Sequence, residues 1–176
     1  MAIPSSNYQN LRDKQTDQMV QLLAADIDLI SISPTVTAGA YHANDNVGGL
    51  QTLVGAMRVN AGTGLLQSVT VADKAMQNAQ IGIYLFSTSP ASGTYTNNVT
   101  FTMHDTDLNR CIGWVEVATS DYKSFVDNSV ACIRNLSFPI KASAGTKSIY
   151  VLLRVTGTPT YAAATDLKLT FGILRD

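Results

Sequence analysis

The stretch Leu167-Lys168-Leu169-Thr170-Phe171-Gly172-Ile173 puts an apolar side chain at every second position. Successive side chains of an extended chain point to opposite faces, so Leu167, Leu169, Phe171 and Ile173 share one face and Lys168, Thr170 and Gly172 the other. A helix would need apolar residues every three or four positions. The same period of two recurs along the chain. Ile149, Val151, Leu153 and Val155 share a face, and Val99, Phe101 and Met103 alternate with Thr100 and Thr102. Leu65, Val69 and Val71 fit a strand, as do Ile81, Ile83 and Leu85. A strand with Val115 and Val117 follows Trp114, and another carries Val130, Cys132 and Ile133. Ile30, Ile32 and Val36 alternate with Ser31, Ser33 and Thr35, while Pro34 marks an edge strand or a bend, because it cannot donate to a ladder.

Turn chemistry separates these runs: Gly48-Gly49, Ala61-Gly62-Thr63-Gly64, Ser89-Pro90-Ala91-Ser92-Gly93, Ser143-Ala144-Gly145 and Gly157-Thr158-Pro159. Strands at this spacing, with no long helices between them, predict an all-β antiparallel two-sheet sandwich, jelly-roll-like, with an immunoglobulin-like sandwich as second choice. The regular apolar faces predict a core containing Val99, Phe101, Ile149, Val151, Leu153, Leu167, Leu169 and Phe171.

The 176 residues suffice for one ordinary domain, and 45% hydrophobic composition can fill a core. Charged residues are only 14% of the chain, against roughly a quarter in an average globular protein. Ser, Thr, Asn and Gln supply the missing polarity. Scarcity of charge suits surfaces that are desolvated in an assembly. Net charge is −1, with 12 Lys+Arg and 13 Asp+Glu scattered without a basic run. Nucleic-acid binding draws on concentrated positive charge, so no nucleic-acid partner is expected.

Residues 1–26 differ from the rest. Asn7 to Gln18 is polar, and Met19, Val20, Leu22, Leu23 and Ile27 then follow at roughly helical spacing. This predicts an N-terminal arm or short helix over 1–26 that gains order from a partner, leading into a β-sandwich domain over 27–176. The opening residues lack the features of a signal peptide, and no apolar run spans a bilayer, so no membrane partner is expected.

Chemistry-bearing residues are few. His42 lies in a polar loop before Gly48-Gly49, and its solvated reading leads. His104-Asp105-Thr106-Asp107 could ligate a metal or support general-base catalysis, but reads first as a turn at a strand end. Asp26 and Asp28 read as the end of the N-terminal segment rather than a metal site. The Gly-rich stretch from Ala61 to Gly64 is followed by neither Lys nor a helix, so it is no phosphate loop. Cys111 and Cys132 read as two buried thiols, with a disulfide open if strands bring them together. Trp114 reads as a core or inter-sheet residue, with a carbohydrate platform as the sharper alternative. Tyr84, Phe86 and Tyr150 lie opposite the aliphatic faces and are candidate contact surface. No catalytic, cofactor-binding or metal-ligating residue is expected, and the chain reads as a non-enzyme.

Several stretches resemble a known family. They are Thr37-Ala38-Gly39-Ala40-Tyr41 continuing to Asn44-Asp45-Asn46-Val47-Gly48-Gly49, Gly64-Leu65-Leu66-Gln67-Ser68-Val69 with Asp73-Lys74, Asp127-Asn128-Ser129-Val130, and Gly157-Thr158-Pro159-Thr160-Tyr161 through Asp166-Leu167 to Gly172-Ile173-Leu174. Together, over most of residues 35–176, they resemble small virion proteins of tailed bacteriophages, of the capsid decoration or cement type. The resemblance implies a structural protein, made in the host cytoplasm and placed on the capsid surface. Its implied partners are copies of itself, as a homotrimer, and the major capsid protein. The alternative is a carbohydrate- or receptor-binding β-sandwich module of a phage particle.

Overall fold

The computed structural model describes residues 26–175. Its strands are β1 (Asp26–Ile32), β2 (Gly39–Ala40), β3 (Gln51–Leu53), β4 (Thr63–Asp73), β5 (Ile81–Phe86), β6 (Cys111–Val117), β7 (Tyr122–Ser124), β8 (Ser129–Lys141), β9 (Ile149–Val155), β10 (Thr160–Tyr161) and β11 (Leu167–Arg175). A single helical turn, α1 (Asp105–Leu108), precedes β6. Among the described residues, no helix is long and apolar enough to cross a membrane. The expectation for residues 1–26 falls outside the described residues, except that Asp26 already belongs to β1.

The chain is an all-β antiparallel sandwich. One sheet has the order β1-β11-β4-β8-β7, the other β3-β9-β5-β6, and β2 and β10 form a small pair. Leaving aside the β2–β10 pair and the edge strand β7, and counting the remaining strands in chain order, the two sheets read 1-8-3-6 and 2-7-4-5. Four strands of that count lie in each sheet of the sandwich.

One apolar cluster draws on both sheets. Leu167, Leu169, Phe171 and Ile173 of β11, Val69 and Val71 of β4, Ile81, Ile83 and Leu85 of β5, and Ile149, Val151, Leu153 and Val155 of β9 are all fully buried. In β4 the inward set is Leu66, Val69 and Val71, while Leu65 is half-buried on the other face. Against β11, Gln67 is one extra residue between Leu66 and Ser68 and restores the phase beyond it, while on the β8 side three residues, 135–137, face it.

Val99 and Phe101 depart from the predicted core. Val99 is exposed, Phe101 half-buried, and residues 99–103 form no regular strand. This extended segment touches the sheet system at a few points only. Asn46 N donates to Val99 O, Phe101 N donates to Asn44 O, and isolated bridges join Asp45 to Thr100 and Thr94 to Thr102. Phe101 is covered by the Tyr84 ring, which stacks on it at 5.1 Å, rather than buried between the sheets.

The thiols and the tryptophan also depart from expectation. In β8, Ala131 takes the inward position opposite Val71, which turns Cys132 to solvent. Cys111 is half-buried, and both thiols are free. In β6, Val115 and Val117 point inward, so Trp114 and Glu116 point outward, and Trp114 is 57% exposed.

Gly113 lets the two sheets meet at one end. Its φ is +150°, and a Cβ there would lie 2.1 Å from Cζ of Phe138, a β8 side chain of the opposite sheet. Two stability outcomes follow from this packing. Phe171→Ala is expected to lower unfolding free energy by about 3–5 kcal/mol in denaturant titration. Gly113→Ala is expected to cost at least about 1–3 kcal/mol from backbone conformation alone, with the Phe138 clash in addition. Losses under about 1 kcal/mol would contradict the packing at either position.

Candidate interaction surface

Outward-facing side chains of the five-stranded sheet form rows across its strands, because residues in register lie side by side on one face. The first row is Ile27, Leu174, Leu65 and Pro139. Next come Leu29, Gly172, Ser68 and Arg134, then Ser31, Thr170, Thr70 and Cys132. Arg134 is the sole charged residue in these three rows. The row beyond, Lys168, Ala72, Val130 and Lys123, has a lysine at each end.

Such a face on an antiparallel sheet is ordinarily polar when it meets water. Here Ile27 is 59% and Leu29 67% exposed. The lack of a side chain at Gly172 keeps the surface low, since a Cβ there would lie 3.6 Å from Leu29 Cδ2 and 2.5 Å from Ser68 Oγ. Polar groups in the third row are turned on one another. Ser31 Oγ and Thr170 Oγ1 lie 2.9 Å apart, and Thr70 Oγ1 donates to Cys132 Sγ at 3.4 Å. The array is thus uncharged over most of its extent, with an apolar corner on edge strand β1. An apolar area framed by charge has the anatomy of a contact surface.

The sequence reading did not single out this face. In sequence, Ile27 continues the helical spacing of the N-terminal segment, and Leu29 belongs to no alternating run. The available signal was that β1 carries aliphatic residues at both parities, Ile27 and Leu29 as well as Ile30 and Ile32. Of the contact residues proposed on the other sheet, Phe86 is fully buried, while Tyr84 and Tyr150 are half-buried.

The residues read for chemistry are dispersed. His42 is exposed in its loop, 3.5 Å from the buried Asp45 carboxylate, which also accepts the His42 amide at 2.8 Å. Asp28, in β1, pairs with Arg175, whose guanidinium also donates to Gly55 O at 2.7 Å. His104 caps α1, its Nδ1 accepting the Thr106 amide at 3.2 Å. Among the described residues, no group of three or more His, Cys, Asp or Glu could hold a metal ion.

Asp107 is fully buried and fixes the loop after β5. Its carboxylate accepts the amides of Ala91, Ser92 and Gly93 and the Tyr95 hydroxyl, the last at 2.7 Å, and meets Arg110 at 3.2 Å. Burial opposes the charge, but the Tyr95 hydroxyl and the three amides outweigh it and hold the carboxyl at about 2. Burial, together with the Asp107 hydrogen bond, pushes the Tyr95 phenol up to about 12.

Neither a family model nor a curated protein matches the chain.

Asp107 sets an expected pH response. Its folded pKa lies below the ordinary value of 3.8, so its stabilisation is present above that value and is lost as pH falls toward about 2. Asp107→Asn puts an amide donor among donors. It is expected to destabilise the fold by roughly 2–3 kcal/mol at neutral pH and to flatten the acid limb of the stability curve. An unchanged acid limb in denaturant titrations would contradict the assignment.

Proposed function

We propose that the chain is a structural component of a bacteriophage particle. In this reading it is a capsid decoration or cement protein that acts through contacts with its own copies, as a homotrimer, and with the major capsid protein. The observation that carries the contact part is the outer face of the five-stranded sheet, with Ile27 and Leu29 exposed beside Leu174 and Leu65 and one charge in three rows. Burying that face removes large aliphatic groups from water and desolvates little charge. The phage assignment rests on the resemblance of residues 35–176.

Residues 1–25 enter the fold at β1, the edge strand that carries Ile27 and Leu29. In this reading residues 1–25 act as an arm that contacts a neighbour. On a capsid, contacts repeat in many copies, so modest affinity at each adds up by avidity.

The test is co-sedimentation with capsids of the phage that carries the protein, together with the solution mass. The intact chain is expected to be trimeric and to pellet with capsids. Ile27→Lys combined with Leu29→Lys is expected to stay in the supernatant while keeping an unfolding midpoint close to that of the parent, because both sites are exposed. Deletion of residues 1–25 is expected to weaken capsid binding while the sandwich still folds. A protein that stays monomeric at high concentration and ignores capsids would defeat the proposal.

A further inference from the structure

A cleft of about 420 Å³ opens where β5 begins and where β6 and β9 end. Gln77, Asn78, Gln80, Thr119, Thr156 and Thr158 line it, and none of its lining side chains is ionisable. Two of them end in buried atoms without a hydrogen-bond partner, Asn78 Oδ1 and Thr156 Oγ1. Both atoms are shielded from water, so a ligand in the cleft reaches them only if the Asn78 and Thr156 side chains turn toward it.

The wall of the cleft is held in place. Asn78 sits at φ +51°, its amide donating to Asp73 Oδ2 at 2.9 Å and its Nδ2 to Ser124 Oγ at 3.1 Å. Gln77 Oε1 accepts the Thr160 amide at 2.9 Å. At the rim, Gln80 Nε2 donates to Glu116. Trp114 lies two residues from Glu116 on the same outward face of β6, and Tyr84 is its cross-strand partner. At about 3.3 Å of rise per residue, Trp114 stands roughly 10 Å from the strand end that opens into the cleft.

We propose that the cleft and the Trp114 face together bind a neutral oligosaccharide, its hydroxyls meeting the amide and hydroxyl groups of the cleft and one ring lying on the indole. Sugar hydroxyls both donate and accept, as do Asn, Gln and Thr side chains taken together. An exposed aromatic ring offers a flat apolar surface to the C–H face of a sugar. An anionic ligand would need cationic donors, which the lining lacks, and Glu116 at the rim repels one. The inference is independent of the capsid reading, since it uses the other sheet and a different end of the molecule.

Trp114 is the chain's single tryptophan, so intrinsic fluorescence reports the site directly. The intact protein is titrated with maltotriose, cellotriose and chitotriose, and with heparin and polysialic acid as anionic comparators. At least one neutral trisaccharide is expected to give a saturable change, unaffected by moderate salt. Affinity is measured in parallel by calorimetry, which needs no tryptophan. There, Trp114→Ala is expected to weaken binding by about tenfold or more, and Gln80→Ala to weaken it as well, with both variants keeping the parent unfolding midpoint. Should a variant fail to fold, protection of Trp114 from quenching by iodide in the parent complex decides instead. The proposal is overturned if no neutral trisaccharide saturates at millimolar concentration, if only the anionic polymers bind, or if a neutral sugar binds Trp114→Ala as tightly as the parent.

Discussion

Strand β11 is hydrogen-bonded on both sides, to β1 and to β4, and its inward side chains Leu167, Leu169, Phe171 and Ile173 are fully buried. That strict alternation constrains everything around it. A slip of one residue would put Lys168 and Thr170 into the core and Phe171 into water. With β11 fixed, β1 and β4 must present their own apolar residues at matching positions, and the Gln67 bulge is where β4 adjusts its phase to do so. The outer face is then determined as well. Leu174 and Leu65 are turned outward by the same register that turns Ile173 and Leu66 inward.

An outward apolar row costs nothing in folding and carries a liability in solution, since it invites association. In this chain the liability is placed on edge strand β1, and Arg134 is the one charge in the first three rows before the lysines of the fourth. The four-stranded sheet is different. Its outward side carries Trp114, Tyr84 and Glu116, and its open end is lined by uncharged polar groups. The two sheets thus offer two chemically distinct surfaces, one largely uncharged with an apolar corner, the other aromatic and hydrogen-bonding.

Much of the fold was legible because period-two patterns report burial on a sheet. For β5, β9 and β11 the pattern gave both the strands and their inward faces. It misled where an extended segment is half covered without joining a ladder, as at Val99 and Phe101. It also misled where a small residue takes the core position: Ala131 is buried while its neighbours Val130 and Cys132 turn outward, so the larger side chains pointed to the wrong face. The strand-like run around Trp114 reads as a core or inter-sheet position, whereas Val115 and Val117 assign the inward parity of β6 and turn Trp114 outward. The candidate contact face was least legible. It is assembled from four strands distant in sequence, and its registers depend on bulges that no local pattern announces. The buried role of Asp107 was hidden similarly, because its partners are backbone amides of another loop.

The claim that the outer face of β1 is buried in an assembly can be tested at the strand itself by hydrogen–deuterium exchange measured across protein concentration. Peptides covering Ile27 to Ile32 are expected to exchange more slowly as concentration rises through the association range, whereas peptides covering Ile149 to Val155, buried in either state, are expected to stay unchanged. Exchange in β1 that is independent of concentration, in a protein shown to associate, would place the contact elsewhere and contradict the account.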